Sequence, residues 1–156
     1  MRTLTAHNCR CECGAVKFAA TREPLFRMMC HCSICQDFNN AAFSDFVVYR
    51  RSAILEPAAR LIEFETYRAP PNIDRGKCRR CGVATIEIFD KPLLSALVMI
   101  PKARFAHGTA LPKPVGHIFY ESRVDNAEDV LPKHIGYLAS QFSIAKQLLP
   151  AMMRAA

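Results

Sequence analysis

Hydrophobic and polar positions alternate with a period of two over most of the chain, and a helical period replaces it only near the end. Ala15 to Ala19 places Val16 and Phe18 on one face, and Leu25 to Met29 returns as an apolar run. Phe43 to Tyr49 (FSDFVVY) reads as a strand rich in aromatic and β-branched residues. The clearest alternation is Arg60 to Arg68 (RLIEFETYR), with Ile62, Phe64 and Thr66 on one face and Glu63 and Glu65 on the other, and Ala69-Pro70-Pro71-Asn72 breaks it. Val83 to Phe89 alternates again, which predicts Ile86 and Ile88 inward and Glu87 outward. Leu94 to Ile100 is more fully apolar, and Gly116 to Tyr120 is a last short strand. Ile135, Leu138, Phe142, Ala145 and Leu149 then follow at helical spacing until Pro150 interrupts them, which leaves AMMRAA as a frayed end or a small apolar contact. The pattern predicts a domain made mostly of strands, closed by a short helix.

Composition narrows the class. With 156 residues, 51% of them hydrophobic, the chain is expected to form one domain spanning 1–156 with a real core. Its most apolar run, Leu93 to Ile100, is far too short to span a bilayer. The N-terminal MRTLTAHNCRCECG carries charge and cysteines where a secretory signal needs an apolar stretch, so the expectation is a cytoplasmic chain with reduced thiols. In that setting eight cysteines at C-x-C and C-x-x-C spacings point to metal, zinc foremost, rather than to disulfides. The formal charge of +7 fits a solvated basic surface, an anionic small substrate or nucleic acid, and charge alone does not choose among them.

The cysteines fall into three groups: Cys9, Cys11 and Cys13 in CRCECG; Cys30, Cys32 and Cys35 in CHCSIC; and Cys78 and Cys81 in CRRCG. Gly14 and Gly82 follow two of the groups, where a metal-binding knuckle needs a tight turn. A structural zinc prefers four thiolates from two knuckles far apart in sequence, a count that Cys11, Cys13, Cys78 and Cys81 meet together. Cys30, Cys32 and Cys35 are then left with three, and a three-thiolate zinc keeps a position open for chemistry. Counting alone also allows Cys78 and Cys81 to complete a site with two of the middle cysteines. Cys9, the spare thiol, reads as an incidental free cysteine.

The order C-x-C-G-x-V-x-F, C-H-C-x-x-C, S-D-F, C-x-x-C-G, H-I-F-Y-E-S-R and D-x-L-P resembles the glutathione-dependent formaldehyde-activating enzyme family, also called the CENP-V/GFA domain, over residues 11–137. The resemblance implies a β-tent, or Mss4-like, fold of curved antiparallel sheets around two zinc ions per chain. It assigns a structural zinc to Cys11, Cys13, Cys78 and Cys81 and a catalytic zinc to Cys30, Cys32 and Cys35. It also implies a carbon–sulfur lyase that reversibly joins glutathione to formaldehyde, giving S-(hydroxymethyl)glutathione. Three positions depart from the family pattern: Lys77 before the C-x-x-C-G group, Arg51 or Ser52 after the S-D-F strand, and Phe119 after H-I. None replaces a cysteine, so both metal sites are expected to be intact.

An open zinc can bind a thiol, lower its pKa and hold the sulfur beside a carbonyl. Arg75, Lys77, Arg79, Arg80 and Arg123 are available by charge to the two carboxylates of glutathione. Neighbours in an extended segment point to opposite sides, so His31, between Cys30 and Cys32, is expected not to ligate. His117 reads as core packing, and Glu121, Ser122 and Arg123 either hold the C-terminal segment or meet substrate. The competing reading, a zinc-stabilised binding module for nucleic acid or protein, lacks aromatics interleaved in a basic stretch.

Overall fold

The computed structural model describes residues 6–67, 73–91 and 94–154. The expected breaker at 69–72 lies outside them. In chain order the elements are β1 (His7–Arg10), β2 (Lys17–Ala20), β3 (Phe26–Cys30), α1 (Ser33–Asn39), β4 (Ser44–Arg50) and β5 (Ile54–Leu55). They continue as β6 (Ile62–Glu65), β7 (Ile73–Cys78), β8 (Ala84–Lys91), β9 (Leu94–Pro101), β10 (His117–Ile118) and α2 (Tyr137–Arg154). The protein is mostly β, as the alternation predicts, with strands in a three-stranded and a seven-stranded sheet. No described helix is long and apolar enough to cross a membrane.

The chain divides into two compact units. The first comprises Met1–Pro24 and Val48–Ala110, the second Leu25–Val47 and Leu111–Ala156. In the first, β1-β2-β5 form the smaller sheet, with Cys9 opposite Phe18, and β9-β8-β7-β6 run antiparallel as neighbours in that order. Val16, Ile62, Ile86, Val98 and Ile100 are buried among them. Gly76 lets β6 lie across β7: a Cβ there would fall 2.6 Å from the Ile62 side chain and 2.8 Å from the Phe64 ring.

Two face predictions in this unit need correction. Glu87 is buried rather than outward, because β8 is covered on both faces, as Thr85, Ile86, Glu87 and Ile88 are all buried. Arg75 lies directly opposite it on β7, with Nε 3.0 Å from a Glu87 carboxylate oxygen, and replaces the missing water with a cross-strand ion pair. Ile62 is buried, but Phe64 on β6 and Thr66 just past its end are exposed, because β6 closes this run of strands and leaves its far end uncovered.

In the second unit, β10 pairs parallel with β3, His117 opposite Met29 and Ile118 opposite Cys30, and β4 follows β3. Phe26, Met28, Phe38 and Val47 are buried here. Arg27 on β3 holds Asp45 of the S-D-F strand through a two-pronged pair of 2.7 and 2.8 Å. Asn40 ends α1 in the left-handed region at φ 47°, a conformation Asn tolerates. The sequence ends the last helix at Pro150, yet α2 continues through Pro150 to Arg154. Proline removes one backbone donor, and burial of Leu148 and Ala151 on either side of it keeps the final turn in place.

Candidate metal centres

Four sulfurs converge in the first unit. Those of Cys11, Cys13, Cys78 and Cys81 lie within 4.8 Å of one another. Two short turns deliver them, built alike. Gly14 N–H donates to the Cys11 carbonyl and Cys11 N–H to the Val16 carbonyl; Gly82 N–H donates to the Cys78 carbonyl and Cys78 N–H to the Val83 carbonyl. Both glycines are left-handed, Gly14 at φ 77° and Gly82 at φ 74°, so each turn requires the residue that its C-x-C-G or C-x-x-C-G pattern supplies.

The donor set fits a tetrahedral thiophilic metal. Zinc–sulfur bonds of about 2.3 Å place tetrahedral sulfurs roughly 3.8 Å apart, and Cys11 to Cys13 is 3.5 Å and Cys13 to Cys78 is 3.8 Å. Val16 N–H donates to the Cys11 sulfur at 3.2 Å, the kind of support that favours a thiolate. Burial pushes the Cys81 thiol up, but the Val83 and Cys13 backbone N–H groups and the neighbouring thiols outweigh it and lower the thiol to about 6. Four cysteine sulfurs gathered this closely could hold one metal ion.

The second unit carries three sulfurs, on Cys30, Cys32 and Cys35, also within 4.8 Å of one another. Among the described residues no fourth cysteine, histidine or carboxylate joins this group, and His31 is outside it although it lies between two members in sequence. Cys30 ends β3, Cys32 is the N-cap of α1, and Cys35 lies in the first turn of that helix, its N–H donating to the Cys32 sulfur at 3.4 Å. No knuckle glycine takes part. Hydrogen bonding with Cys32 pushes the Cys30 thiol above the ordinary range, Cys35 opposes this, and burial adds to the rise. Cys30 and Cys35 are buried and Cys32 is half-buried.

Two buried histidines, His31 and His117, lead from the cysteine stretch to an exposed carboxylate, Asp129. His31 Nε2 is 2.8 Å from His117 Nδ1, and His117 Nε2 is 2.9 Å from an Asp129 carboxylate oxygen. The hydrogen bond from His117, helped by Lys133, lowers the Asp129 carboxyl to about 2, although some desolvation opposes the shift. Asp129 is therefore an ionised acceptor. The ionised carboxylate accepts from His117 Nε2–H, which leaves His117 Nδ1 to meet His31 Nε2. Burial, then the nearby His117 and Arg123, lowers the His31 pKa and keeps that ring neutral. Phe43, His117 and Tyr120 surround the His31 ring at 5.1–5.2 Å between centroids. Phe119, between His117 and Tyr120 in the chain, has φ 50°, a strained conformation for a bulky residue, and its N–H donates to Ser140 Oγ on α2.

The remaining candidates separate clearly. Cys9 stands outside both groups, buried on β1 with its sulfur 3.7 Å from the His7 carbonyl. Glu121 accepts Gly136 N–H, the Ser122 carbonyl accepts from Gln36, and the Arg123 guanidinium lies 4.5 Å over the Tyr120 ring, so E-S-R ties the C-terminal segment together. Of the five basic residues available to glutathione by charge, Arg75, Lys77, Arg79 and Arg80 belong to the unit of the four-cysteine group, and Arg75 is already paired. Arg123 alone of the five shares a unit with Cys30, Cys32 and Cys35. Asp129 was not foreseen; its only signal was the D-x-L-P motif near the end of the chain.

A family model described as glutathione-dependent formaldehyde-activating enzyme matches residues 6–122. No curated protein matches the chain. Among solved structures, a Rhodobacter sphaeroides protein is similar at 20% identity over 66% of this chain and 90% of its own, with a TM-score of 0.48.

Proposed function

The chain belongs to the glutathione-dependent formaldehyde-activating enzyme family, and from that premise we propose that it is a zinc-dependent carbon–sulfur lyase acting on the adduct of a small thiol, glutathione foremost, with formaldehyde. In this reading Cys11, Cys13, Cys78 and Cys81 hold a structural zinc, and Cys30, Cys32 and Cys35 hold a catalytic one. The observation that carries it is the unequal count of ligands, four sulfurs in one group and three in the other.

Cys30, Cys32 and Cys35 would hold the zinc ion, which would supply Lewis acidity to lower the pKa of an incoming thiol. The protein's part is geometric. Cys30 and Cys32 fix two sulfurs at the end of β3 and the cap of α1, and Cys35 adds the third from the helix itself. The His31–His117–Asp129 hydrogen-bond chain holds the backbone between the first two ligands. Arg123 offers a cation to a substrate carboxylate. In the forward direction the thiolate sulfur attacks the formaldehyde carbon, the C–S bond forms, and the carbonyl oxygen takes a proton to become the hydroxymethyl group. In reverse that hydroxyl loses its proton, the C–S bond breaks, and the thiolate departs. A reducing cytoplasm suits eight cysteines, none of them in a disulfide.

The test is direct. Zinc-loaded protein mixed with glutathione and formaldehyde should form S-(hydroxymethyl)glutathione faster than the uncatalysed mixture, and Cys32→Ser should remove the difference. A rate equal to the uncatalysed one in the loaded wild type would refute the reaction named.

A further inference from the structure

Helix α2 is amphipathic in the unexpected direction. Its buried residues are Ser140, Ser143, Leu148 and Ala151, whereas the apolar stripe legible in the sequence faces solvent. Leu138 is 81% exposed, Phe142 73%, Leu149 59% and Met153 80%, with exposed Ala145 among them. These five positions follow at steps of four, three, four and four, the spacing of a helix-pairing seam. Ile135 and Tyr137, just before and at the start of the helix, extend the patch. The matched family region ends at residue 122, so the helix lies beyond it.

We propose that this face is the contact between two copies of the chain, packed as an antiparallel, two-fold pair of α2 helices. The stripe reads large, large, small, large, large about Ala145, and is therefore nearly the same from either end. A two-fold axis at Ala145 sets Leu138 and Phe142 of one copy against Met153 and Leu149 of the other, and the small central residue lets the helices approach closely. No charge interrupts the seam: α2 contains no Asp or Glu, and its Lys146 and Arg154 lie beside the stripe rather than within it. Six large apolar side chains exposed to this degree present on the order of 800 Å², the amount each partner contributes to a standard-sized interface. Ser140 on the opposite face binds the Phe119 N–H, so the pairing helix is fixed to the segment that carries His117 and Tyr120.

Sedimentation and light scattering of the full-length, metal-loaded protein test the pairing. The expected mass is twice that of the 17.5 kDa chain. Phe142→Glu, and separately Ala145→Glu, which sets two carboxylates face to face at the axis, should each halve it with helix content and bound metal unchanged. Phe142→Leu and Arg154→Glu should keep the doubled mass. A wild type that sediments as one chain at its solubility limit, or a doubled mass that survives both glutamate variants, overturns the proposal. A single-chain wild type that floats with phosphatidylglycerol vesicles overturns it too, and assigns the stripe to a lipid surface.

Discussion

The two cysteine groups use the same ligand atom in opposite ways. In the first unit the sulfurs sit on two glycine turns contributed by segments 65 residues apart, measured from Cys13 to Cys78, and four ligands close the site. In the second, three sulfurs come from one six-residue stretch laid across a strand end and a helix cap. The first arrangement ties distant parts of the chain together, so a metal bound there stabilises the fold. The second ties together residues that are already neighbours. A metal bound there would add little to chain topology, and the His31–His117–Asp129 chain, with both rings buried, shapes its surroundings instead. Ligand count and loop length together distinguish a site that holds the protein from one that can act on something else.

The sharpest way to break this contrast is to remove one sulfur from each group. Cys81→Ser should cost most of the folding free energy that a structural zinc supplies, on the order of 10 kcal/mol, and should unfold the first unit at ambient temperature. Cys32→Ser should lose one metal per chain yet melt within about 2 kcal/mol of wild type. Thermal unfolding with metal analysis of both variants checks this, and equal loss of fold would erase the distinction. Next in size is His117→Ala, which removes a buried side chain and the partner of His31 Nε2. It should destabilise the second unit by about 2–4 kcal/mol and leave the four-cysteine metal bound, as hydrogen exchange with metal counting would report.

Acid extends the contrast. The folded state holds His31 below its ordinary pKa, whereas the unfolded chain takes up that proton near pH 6.5. The contribution of the neutral ring is therefore complete above about 6.5 and is lost as pH falls below it. Melting curves should show stability falling from pH 7 to 5.5, and the fall should be shallower in His117→Ala, where one cause of the shift is gone. The smallest effect is expected from Cys9→Ala, at about 1 kcal/mol from lost packing with no change in metal count. Burial pushes the Cys9 thiol up to about 12, so alkylation at pH 8 should spare it in the folded protein.

What the sequence disclosed follows from the range of each interaction. The knuckles were legible because C-x-C-G and C-x-x-C-G specify a local turn, and Gly14 and Gly82 adopt the left-handed conformations that turn needs. Strand existence was legible from alternation, but facing was less so. Glu87 misled because a period of two locates a polar face only where that face meets water, and β8 is covered on both sides. On α2 the spacing revealed an apolar stripe without saying which way it turns, and the packing of Ser140 and Ser143 turned it outward. The histidine pair was hidden for another reason: 86 residues separate His31 from His117, and no local pattern announces a contact at that distance.

The proposed function requires the group of Cys30, Cys32 and Cys35 to leave room for one exogenous thiol and the group of Cys11, Cys13, Cys78 and Cys81 to leave none. Cobalt substitution measures this directly, because thiolate-to-cobalt charge-transfer absorption scales with the number of bound sulfurs. Glutathione titrated into the cobalt-loaded protein should raise that absorption by one thiolate per chain, and the increase should vanish in Cys32→Ser. An unchanged spectrum in the wild type, or an increase that persists in Cys32→Ser, would rule out an open thiol site at these three cysteines.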